Sequence, residues 1–483
     1  MRVLHVASEF APFAQTGGLG DVAAGLPAAL AELDDVTAAV VVPLYRGVAA
    51  KLAAAGVALG PAFEVAVVVG PHAIATRVVA ATIGRLRVGF VDCAPLYDRA
   101  GGLYGPDATS EFMDNPVRFA VLAKAALAAG PRLLGGAIDV LHVHDWQAAL
   151  AAIYAREQPG SARAIVATIH NLAFRGIYPK HVVDVLGLPW AKFDLHNLEF
   201  WDQLCLLKGG LAAADAVTTV SPTYAHEILT PERGEALDAF MRADVPRLVG
   251  IVNGIDTTAW DPDRDRALPA PFSATDLRGK QRCRDAIARE LGVTLGGDDV
   301  LIGAVGRFAH QKGFDLLAEI VPALHELGAK LIVLGSGEPA IEDRFRYLAS
   351  AFADSLAVRV GFDLALSRRI YAGSDVFAMP SRFEPCGLGQ LYAMRYGAIP
   401  VVHAVGGLRD TVIDPGDAEL RKGRGTGVWF EHATAEALRE ALARAVAIVR
   451  DPDAARTVRR AAMLRDSSWQ PSAAAYLRLY QSL

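Results

Sequence analysis

Residues 300–313 read VLIGAVGRFAHQKG, and residues 375–389 read DVFAMPSRFEPCGLG. Each stretch is an apolar run of strand length, followed by a glycine-bounded polar turn and then by a helix-like pattern. The same order of strand, turn and helix repeats along most of the chain. Because apolar strands that alternate with helices are typical of sheets covered on both faces, the sequence predicts an α/β protein with parallel sheets.

The predicted elements form two series, one in each half of the chain. Strands are predicted at Val3–Ala7, Thr37–Val42, Arg87–Val91, Asp139–His144, Arg163–Ile169, Ala216–Val220, Leu248–Val252, Val300–Val305, Lys330–Leu334, Val358–Gly361, Asp375–Met379, Ile399–His403 and Gly427–Phe430. Helices are predicted at Asp21–Leu33, Pro116–Ala129, Trp146–Glu157, Phe314–Leu327, Ala435–Val449 and Pro471–Leu483. The turn signals of Val249–Asp265 indicate the seam between the halves.

Composition excludes several classes of protein. The chain has 483 residues, 52% of them hydrophobic and 21% charged, which is typical of a globular protein with large buried sheets. A net charge of -5 gives no basic footprint for nucleic acid. The four cysteines are scattered, so neither a disulfide framework nor a zinc site is predicted. No signal-like or membrane-spanning run is found, so we expect a cytoplasmic protein that binds no membrane.

The turn after Val300–Val305 carries two cations. Arg307 offers a planar fork for two oxygens, and Lys312 offers a compact point charge. Between Gly306 and Gly313, at a helix start, they favour a phosphate site, although an isolated pair of this spacing is usually a solvated loop. A cation about 4 Å from a departing phosphate is worth about 4 kcal/mol at an effective dielectric near 20.

The second turn carries a carboxylate and a helix start. Glu384 can accept hydrogen bonds from sugar hydroxyls, and Gly387, Leu388 and Gly389 open a helix whose first N–H groups can bind phosphate. The alternative is a glutamate favoured by the helix dipole alone. Together the two turns suit a ligand with a diphosphate at one end and a hydroxyl-rich ring at the other, a nucleotide sugar.

Polar residues also end two strands of the first half. Asp145 and His170 each follow an apolar strand, so we expect them at the same sheet edge. Asp145 with His142 and His144 could also be read as metal ligands, but alternation along a strand places the histidines on one face and Asp145 on the other. Two similar glycine-rich turns, Gly17–Val22 and Gly406–Val412, predict bare N–H groups and a ligand shared by the halves, with a chance likeness of ordinary turns as the alternative.

One further glycine motif favours a different ligand. Gly335–Ala340 follows a strand and matches G-x-G-x-x-A, the pattern of dinucleotide-binding turns. It does not follow the first strand of its half, so a dehydrogenase remains the most distant alternative.

At this point the chain resembles a known family. Six motifs match bacterial glycogen synthases and plant starch synthases in order: Gln15–Asp21, His142–Trp146, Thr168–Ala173, Asn253–Asp256, Gly306–Gly313 and Ser381–Leu388. The resemblance implies a GT-B fold of two facing Rossmann-like domains, with the last helix crossing back to the first. It implies a glucan-side domain of residues 1–248 plus 467–483 and a nucleotide-sugar domain of residues 249–466.

The resemblance also implies an activity. Glucose would pass from ADP-glucose to the 4-hydroxyl at the non-reducing end of an α-1,4-glucan, with retention of configuration, without metal and without a cofactor. It implies front-face attack within an ion pair, in which the departing phosphate takes the acceptor proton, rather than a double displacement by two carboxylates. The expected partners are ADP-glucose or ADP and glycogen.

The residue roles follow from the matching motifs. The resemblance assigns the reaction to Glu384, His170, Arg307, Lys312 and Asp145. It assigns donor binding to Gln15, Gly18, Asp21, Asn253, Arg307, Lys312, Phe362, Glu384, Gly387, Leu388 and Gly389. It assigns acceptor binding to Tyr97 and Asp145.

Three positions depart from the family pattern. Gln15 stands where relatives usually carry a lysine, Gly389 replaces a common threonine or serine, and Tyr392 stands where the wider superfamily often has a second glutamate. The missing cation at Gln15 leaves two alternatives open: a retaining transferase that uses UDP-glucose or a small acceptor, and a weakened homologue that only binds glucan.

Overall fold

A computed structural model describes residues 1–107 and 110–483. The chain divides into two compact units. The first comprises Met1–Gly254 and Trp469–Leu483, and the second comprises Ile255–Ser468. As the resemblance implied, the last helix, Trp469–Gln481, belongs to the first unit.

The first unit is built on a nine-stranded sheet. Its strands lie in the order Leu248–Gly250, Ala216–Thr219, Ala164–Ile169, Val140–His144, Arg2–Val6, Thr37–Pro43, Leu86–Asp92, Thr76–Ile83 and Leu59–Val65. Pairing is parallel as far as Leu86–Asp92, and the last two strands are added by antiparallel pairing. The central strands are buried along their whole length, which is why they read as continuous apolar runs.

Helices and two small sheets complete the first unit. The small sheets pair Val68–Val69 with His72–Ala73, and Gln203–Cys205 with both Ile177–Pro179 and Glu199–Phe200. The α-helices are Gly18–Ala31, Val48–Ala54, Ala94–Tyr97, Asn115–Leu134, Asp145–Glu157, Val182–Leu186, Leu206–Ala213, Pro222–Glu227, Asp238–Asp244 and Trp469–Gln481, with a 3₁₀ turn at Trp190–Lys192.

The second unit is built on a six-stranded parallel sheet. Its strands lie in the order Leu356–Val360, Ala329–Gly335, Val300–Val305, Val376–Met379, Ile399–His403 and Val428–Phe430. The α-helices are Arg278–Leu291, Phe314–Glu319, Leu324–Leu327, Pro339–Ala351, Leu364–Gly373, Gly389–Arg395, Gly406–Thr411, Asp417–Leu420, Ala435–Val449 and Pro452–Leu464, with 3₁₀ turns at His310–Lys312 and Val321–Ala323.

Both sheets contain a point at which the strand order reverses. In the second unit the first strand of the unit, Val300–Val305, lies beside the fourth, Val376–Met379, giving the Rossmann order 3-2-1-4-5-6. In the first unit the first strand, Arg2–Val6, lies between Thr37–Pro43 and Val140–His144, so the strand order reverses beside it as well. Ligands of open α/β sheets bind beyond the carboxyl ends of the strands at such points. The turns after these four strands are therefore the places to look for a site.

Two features differ from the predicted elements. The hairpin of Leu59–Val65 and Thr76–Ile83 was not predicted, because one of its strands is an exposed edge that lacks a continuous apolar run. The single helix predicted at Phe314–Leu327 is broken into three short pieces. The break contains Pro322, whose missing N–H and ring disfavour an uninterrupted helix.

No helix within the described ranges is both long and apolar enough to cross a lipid bilayer.

Candidate active site

The second unit brings Lys312 and Glu384 together where its strand order reverses. Lys312 Nζ lies 2.5 Å from Glu384 Oε2, and Ser381 Oγ donates a hydrogen bond to the same oxygen at 3.0 Å. The Glu384 side chain is only 7% exposed. Because an unpaired buried carboxylate is costly, the ammonium and the hydroxyl stabilise its charged form.

Arg307 lies in the same turn as Lys312, with an exposed side chain. Its Nη2 donates to Gln311 Oε1 at 3.1 Å. Gln311 in turn ties the two turns together, because its Nε2 donates to the Phe383 carbonyl at 3.2 Å and its carbonyl accepts from Arg382 N at 2.8 Å. The two predicted phosphate and sugar turns are thus one connected surface.

Glycine residues allow the turn that carries Lys312 and the turn that carries Glu384 to lie close together. Gly313 has a φ of +69°, and a Cβ atom there would lie 2.0 Å from the Pro380 carbonyl oxygen. Gly387 has a φ of +72°, and its loop is fixed by Gln390 Nε2, which donates to the Cys386 and Gly387 carbonyls. A side chain at Gly313 or Gly387 would strain the backbone and separate the turns.

The helix predicted after Glu384 begins at Gly389. Its first amide groups, which follow Leu388, have no acceptor within the helix. A Cβ atom at Gly389 would lie 3.2 Å from Met379 Sδ and 3.4 Å from the Tyr371 hydroxyl, so there is little room here for the threonine or serine that the resemblance implies. Tyr392, another departure, stacks on Trp260 with ring centroids 3.7 Å apart.

Two other residues that were predicted to bind the nucleotide-sugar donor have contrasting environments. Phe362 follows the strand Leu356–Val360 and is 90% exposed, so its ring is open to stacking. Asn253, at the end of the first unit, is 8% exposed. Its Oδ1 has no hydrogen-bond partner within residues 1–107 and 110–483.

In the first unit, Asp145 and His170 meet at the sheet edge, as the sequence predicted. Asp145 Oδ1 accepts a hydrogen bond from His170 N at 2.7 Å. Asp145 adopts a φ of +56°, which is strained for a residue other than glycine and is often found at functional sites. Burial raises the pKa of Asp145 to about 7 and lowers the pKa of His170 to about 3. The imidazole is therefore neutral at physiological pH.

The glycine turn of the first unit is already occupied by a carboxylate. Glu9 accepts hydrogen bonds from Thr16 N at 2.9 Å, Thr16 Oγ1 at 2.6 Å, Gly17 N at 3.2 Å and the Tyr104 hydroxyl at 2.7 Å. The expectation of bare N–H groups is therefore wrong for Gly17. Sequence reasoning missed Glu9, although its position just after the strand Arg2–Val6 was the available signal.

The equivalent turn of the second unit also differs from the expectation. Gly407 N donates to the Glu384 carbonyl at 3.0 Å and the Pro385 carbonyl at 3.1 Å. A Cβ atom at Gly407 would lie within 2.3 Å of the Cys386 carbonyl oxygen. This glycine therefore supports the Glu384 loop rather than presenting a free amide.

Gln15 is hydrogen-bonded to Asp21, another residue that was predicted to bind the nucleotide sugar. Gln15 Nε2 donates to Asp21 Oδ2 at 2.6 Å and to the Gly17 carbonyl at 3.0 Å. The pKa of Asp21 is raised to about 6, mainly by burial; the Gln15 hydrogen bond lowers it, and the charge of the nearby Glu9 raises it. Gln15 is uncharged, so it donates a hydrogen bond to Asp21 but places no positive charge beside it. Gly18 begins the helix that carries Asp21.

Tyr97 is not placed as an acceptor-lining aromatic. It is 1% exposed, and its hydroxyl donates to the Arg118 carbonyl at 2.6 Å. Its ring packs against Tyr45 and within 5.8 Å of the Arg118 guanidinium. The expectation that Tyr97 contacts an acceptor directly is wrong for this arrangement, because its ring is buried in the core of the first unit.

The dinucleotide-like motif has a structural role. Gly335 and Gly337 pack against Phe308, and a Cβ atom at Gly337 would lie 2.3 Å from the Phe308 carbonyl oxygen. Glu338 N donates to the same carbonyl at 2.7 Å. These glycines let the turn that carries Arg307 approach its neighbour, which leaves the dehydrogenase reading without support.

Comparisons with known proteins identify the family of the chain. Residues 2–243 match the family model of the starch synthase catalytic domain, and residues 299–447 match that of glycosyl transferases group 1. The chain is 47% identical to a glycogen synthase of Anaeromyxobacter dehalogenans over the full length of both chains. It is 43% identical to one of Myxococcus xanthus, covering 100% of this chain and 99% of the other.

A solved structure also matches closely. The catalytic domain of starch synthase IV from Arabidopsis thaliana, bound to ADP and acarbose, is 32% identical with a TM-score of 0.88, covering 100% of this chain and 99% of that one. The fold is therefore that of a GT-B glycosyltransferase. Within that class, the chain belongs to the family of bacterial glycogen synthases and plant starch synthases.

Proposed function

We propose that the protein transfers glucose from ADP-glucose to the non-reducing end of an α-1,4-glucan, with retention of configuration and without a cofactor. The observation that carries this proposal is the Lys312–Glu384 pair beside Arg307, at the strand-order reversal of the second sheet. A cationic and a carboxylate group side by side suit a ligand that joins a diphosphate to a sugar.

The second unit, residues 249–466 in the sequence-based division, would hold the donor. Arg307 and Lys312 would contact the diphosphate and stabilise the charge that grows on it as the glycosidic bond breaks. Glu384 would accept hydrogen bonds from the glucose hydroxyls, with the first amides of Gly387–Gly389 on phosphate or sugar. The exposed ring of Phe362 would stack on the adenine.

The first unit, residues 1–248 plus 467–483, would hold the acceptor and complete the donor contacts. Gln15, Gly18 and Asp21 lie at the turn after its first strand, and Asp145 and His170 follow two further strands of the same sheet. The unpartnered Oδ1 of Asn253 would accept a hydrogen bond from the donor.

The environments of the two carboxylates argue against a double displacement. Glu384 already holds the ammonium of Lys312 and the hydroxyl of Ser381. Asp145 accepts a hydrogen bond from the His170 amide, and burial raises its pKa to about 7, so a substantial fraction of this carboxyl group is protonated at physiological pH. Neither group is a free nucleophile, so we favour front-face attack in which the departing diphosphate takes the acceptor proton.

A labelling experiment tests the reaction. The full-length protein is given radiolabelled ADP-glucose or UDP-glucose with and without glycogen, in the presence of a chelator, and the product is digested with β-amylase. We expect label from ADP-glucose only, incorporated only with glycogen and released as maltose. Preference for UDP-glucose, or transfer to a small sugar alone, would contradict the assigned donor or acceptor.

Gln15 favours one second candidate, a homologue that binds glucan without turnover. The resemblance implies a lysine at this position, and Gln15, which donates to Asp21, supplies no positive charge. This candidate predicts co-sedimentation with glycogen but no ADP release with any primer. Measurable ADP release that depends on glycogen excludes it.

A further inference from the structure

The first unit contains a hydrogen-bonded series of imidazoles that runs inward from the candidate site. His170 Nε2 lies 3.0 Å from His144 Nδ1, and His144 Nε2 lies 3.1 Å from His5 Nδ1. His5 and His144 lie on neighbouring parallel strands, and His170 directly follows the next strand, Ala164–Ile169. The sheet itself therefore brings the three rings together. His5 and His144 have no solvent-exposed surface, whereas His170 is half-buried.

The three rings are neutral, so their protons are ordered. Burial lowers the pKa of His5 and His170 to about 3 and that of His144 well below its ordinary value. A neutral imidazole has one N–H group and one lone pair. In a series joined by two hydrogen bonds, the tautomer of one ring therefore dictates the tautomers of the others. Only two orders are possible, with the protons all on Nδ1 or all on Nε2.

The two orders differ at the ends of the series. At the inner end, His5 Nε2 is buried and has no hydrogen-bond partner among the residues that the structure describes. At the outer end, His170 Nδ1 is the nitrogen not engaged by His144. An unpaired buried N–H is rarer in folded proteins than an unpaired buried acceptor, and it carries the full desolvation cost of a donor. The order with every proton on Nδ1 is therefore favoured.

We propose that His5 and His144 are positioning residues that hold His170 in the Nδ1–H tautomer, so that its ring presents a hydrogen-bond donor at its outer edge. The use of that donor rests on the proposed function, in which it would bind an oxygen of the reacting sugar. The tautomer itself does not depend on any activity.

The neighbouring His142 raises the alternative of a metal site and also provides a control variant. The ligand nitrogens of His5, His142 and His144 lie within 4.8 Å of one another, close enough for a metal ion. However, His142 uses Nδ1 with the Tyr480 hydroxyl at 2.7 Å and Nε2 with Thr168 Oγ1 at 2.5 Å. His142 thus lies beside the series but is not a member of it.

The direct test is the protonation pattern of the histidines in the substrate-free, full-length protein. Long-range proton–nitrogen spectra of ¹⁵N-histidine-labelled protein distinguish Nδ1–H from Nε2–H, and single variants assign the signals. We expect neutral Nδ1–H rings for His5, His144 and His170. An Nε2–H tautomer at His170 would overturn the proposal, as would one tightly bound metal ion per chain by elemental analysis.

Variants then separate positioning from a merely structural role. His144→Phe should lower kcat about 10- to 100-fold, the size of loss seen when a metal-ligating histidine loses its orienting partner, with KM for the sugar donor changed less than about twofold. His144→Asn, whose amide can donate to His170 Nε2, should recover most of the loss. His142→Gln, equally buried but outside the series, should leave kcat and the His170 tautomer unchanged.

The outcomes distinguish this inference from the proposed function. An unchanged kcat for folded His144→Phe would overturn the positioning role. If the enzyme proved inactive with every donor, the proposed function would fail while the tautomer pattern could still be measured.

Discussion

Replacing Lys312 by alanine removes the ammonium that lies 2.5 Å from Glu384 Oε2. The Lys312 side chain is 26% exposed and that of Glu384 is 7% exposed, so the dielectric environment of the pair is intermediate between bulk water and the protein interior. At an effective dielectric near 20, unit charges about 4 Å apart interact by about 4 kcal/mol. If the diphosphate gains about one charge as it departs, Lys312→Ala should lower kcat about a thousandfold.

The assay is the initial rate of ADP release at saturating ADP-glucose and glycogen. Glycogen co-sedimentation should be unchanged, because the proposed function places the glucan on the other unit. Lys422→Ala is the matched control, since Lys422 pairs with Glu419 at 2.8 Å on the exposed surface of the same unit and should retain its kcat. A folded Lys312→Ala protein with near wild-type kcat would refute the assignment of this cation to the departing phosphate.

Three other substitutions have defined outcomes. Gln15→Lys should place a cation beside Asp21 and lower KM for ADP-glucose about fivefold, the effect of about 1 kcal/mol; an unchanged KM would mean that the charge is supplied elsewhere. Asp145 has a pKa raised from 3.8 to about 7 by burial, so the folded protein holds this proton more tightly than the unfolded chain and loses stability as pH rises from about 4 to 7. Asp145→Asn should remove that loss, so its free energy of unfolding relative to wild type should increase between pH 5 and pH 8 in urea titrations, and a pH-independent difference would contradict the reasoning. Lys280→Met should cost about 1–3 kcal/mol, because it leaves without a donor three buried carbonyls that accept from Nζ at 2.8–2.9 Å, and an unchanged free energy of unfolding in urea titrations would be inconsistent with that network.

The strands that carry the fold were predictable because they are buried on both faces. Val300–Val305 and Ile399–His403 have the predicted bounds, and their continuous β-branched and apolar runs leave no other placement. The edge strand Leu59–Val65 was not predictable in this way, since its side chains are mostly exposed and it obeys no apolar pattern. Pairing with Thr76–Ile83, rather than the local sequence, determines its conformation.

The sequence was enough to predict where the candidate site residues lie in the fold, but not which residues they contact. Strand ends and glycine turns located Lys312, Glu384, Asp145 and His170, because a parallel sheet collects such residues at one edge. The pairing of Lys312 with Glu384 depends on a loop approach that only the folded backbone defines. In the same way, the occupation of the first glycine turn by Glu9 and the burial of Tyr97 depend on distant parts of the chain.

The last helix has a consequence for how the chain is made. Trp469 lies so close to Gly25 that a Cβ atom there would come within 2.0 Å of Nε1, and the Tyr480 hydroxyl bonds His142 in the core of the first unit. Because ribosomes build proteins from the amino end, the helix that completes the amino-terminal unit is synthesised only after the whole of Ile255–Ser468. The first unit therefore begins to emerge early but cannot complete its core until Trp469–Gln481 has emerged as well. A stop codon just before Trp469 would leave the second unit whole and damage the unit that was made first.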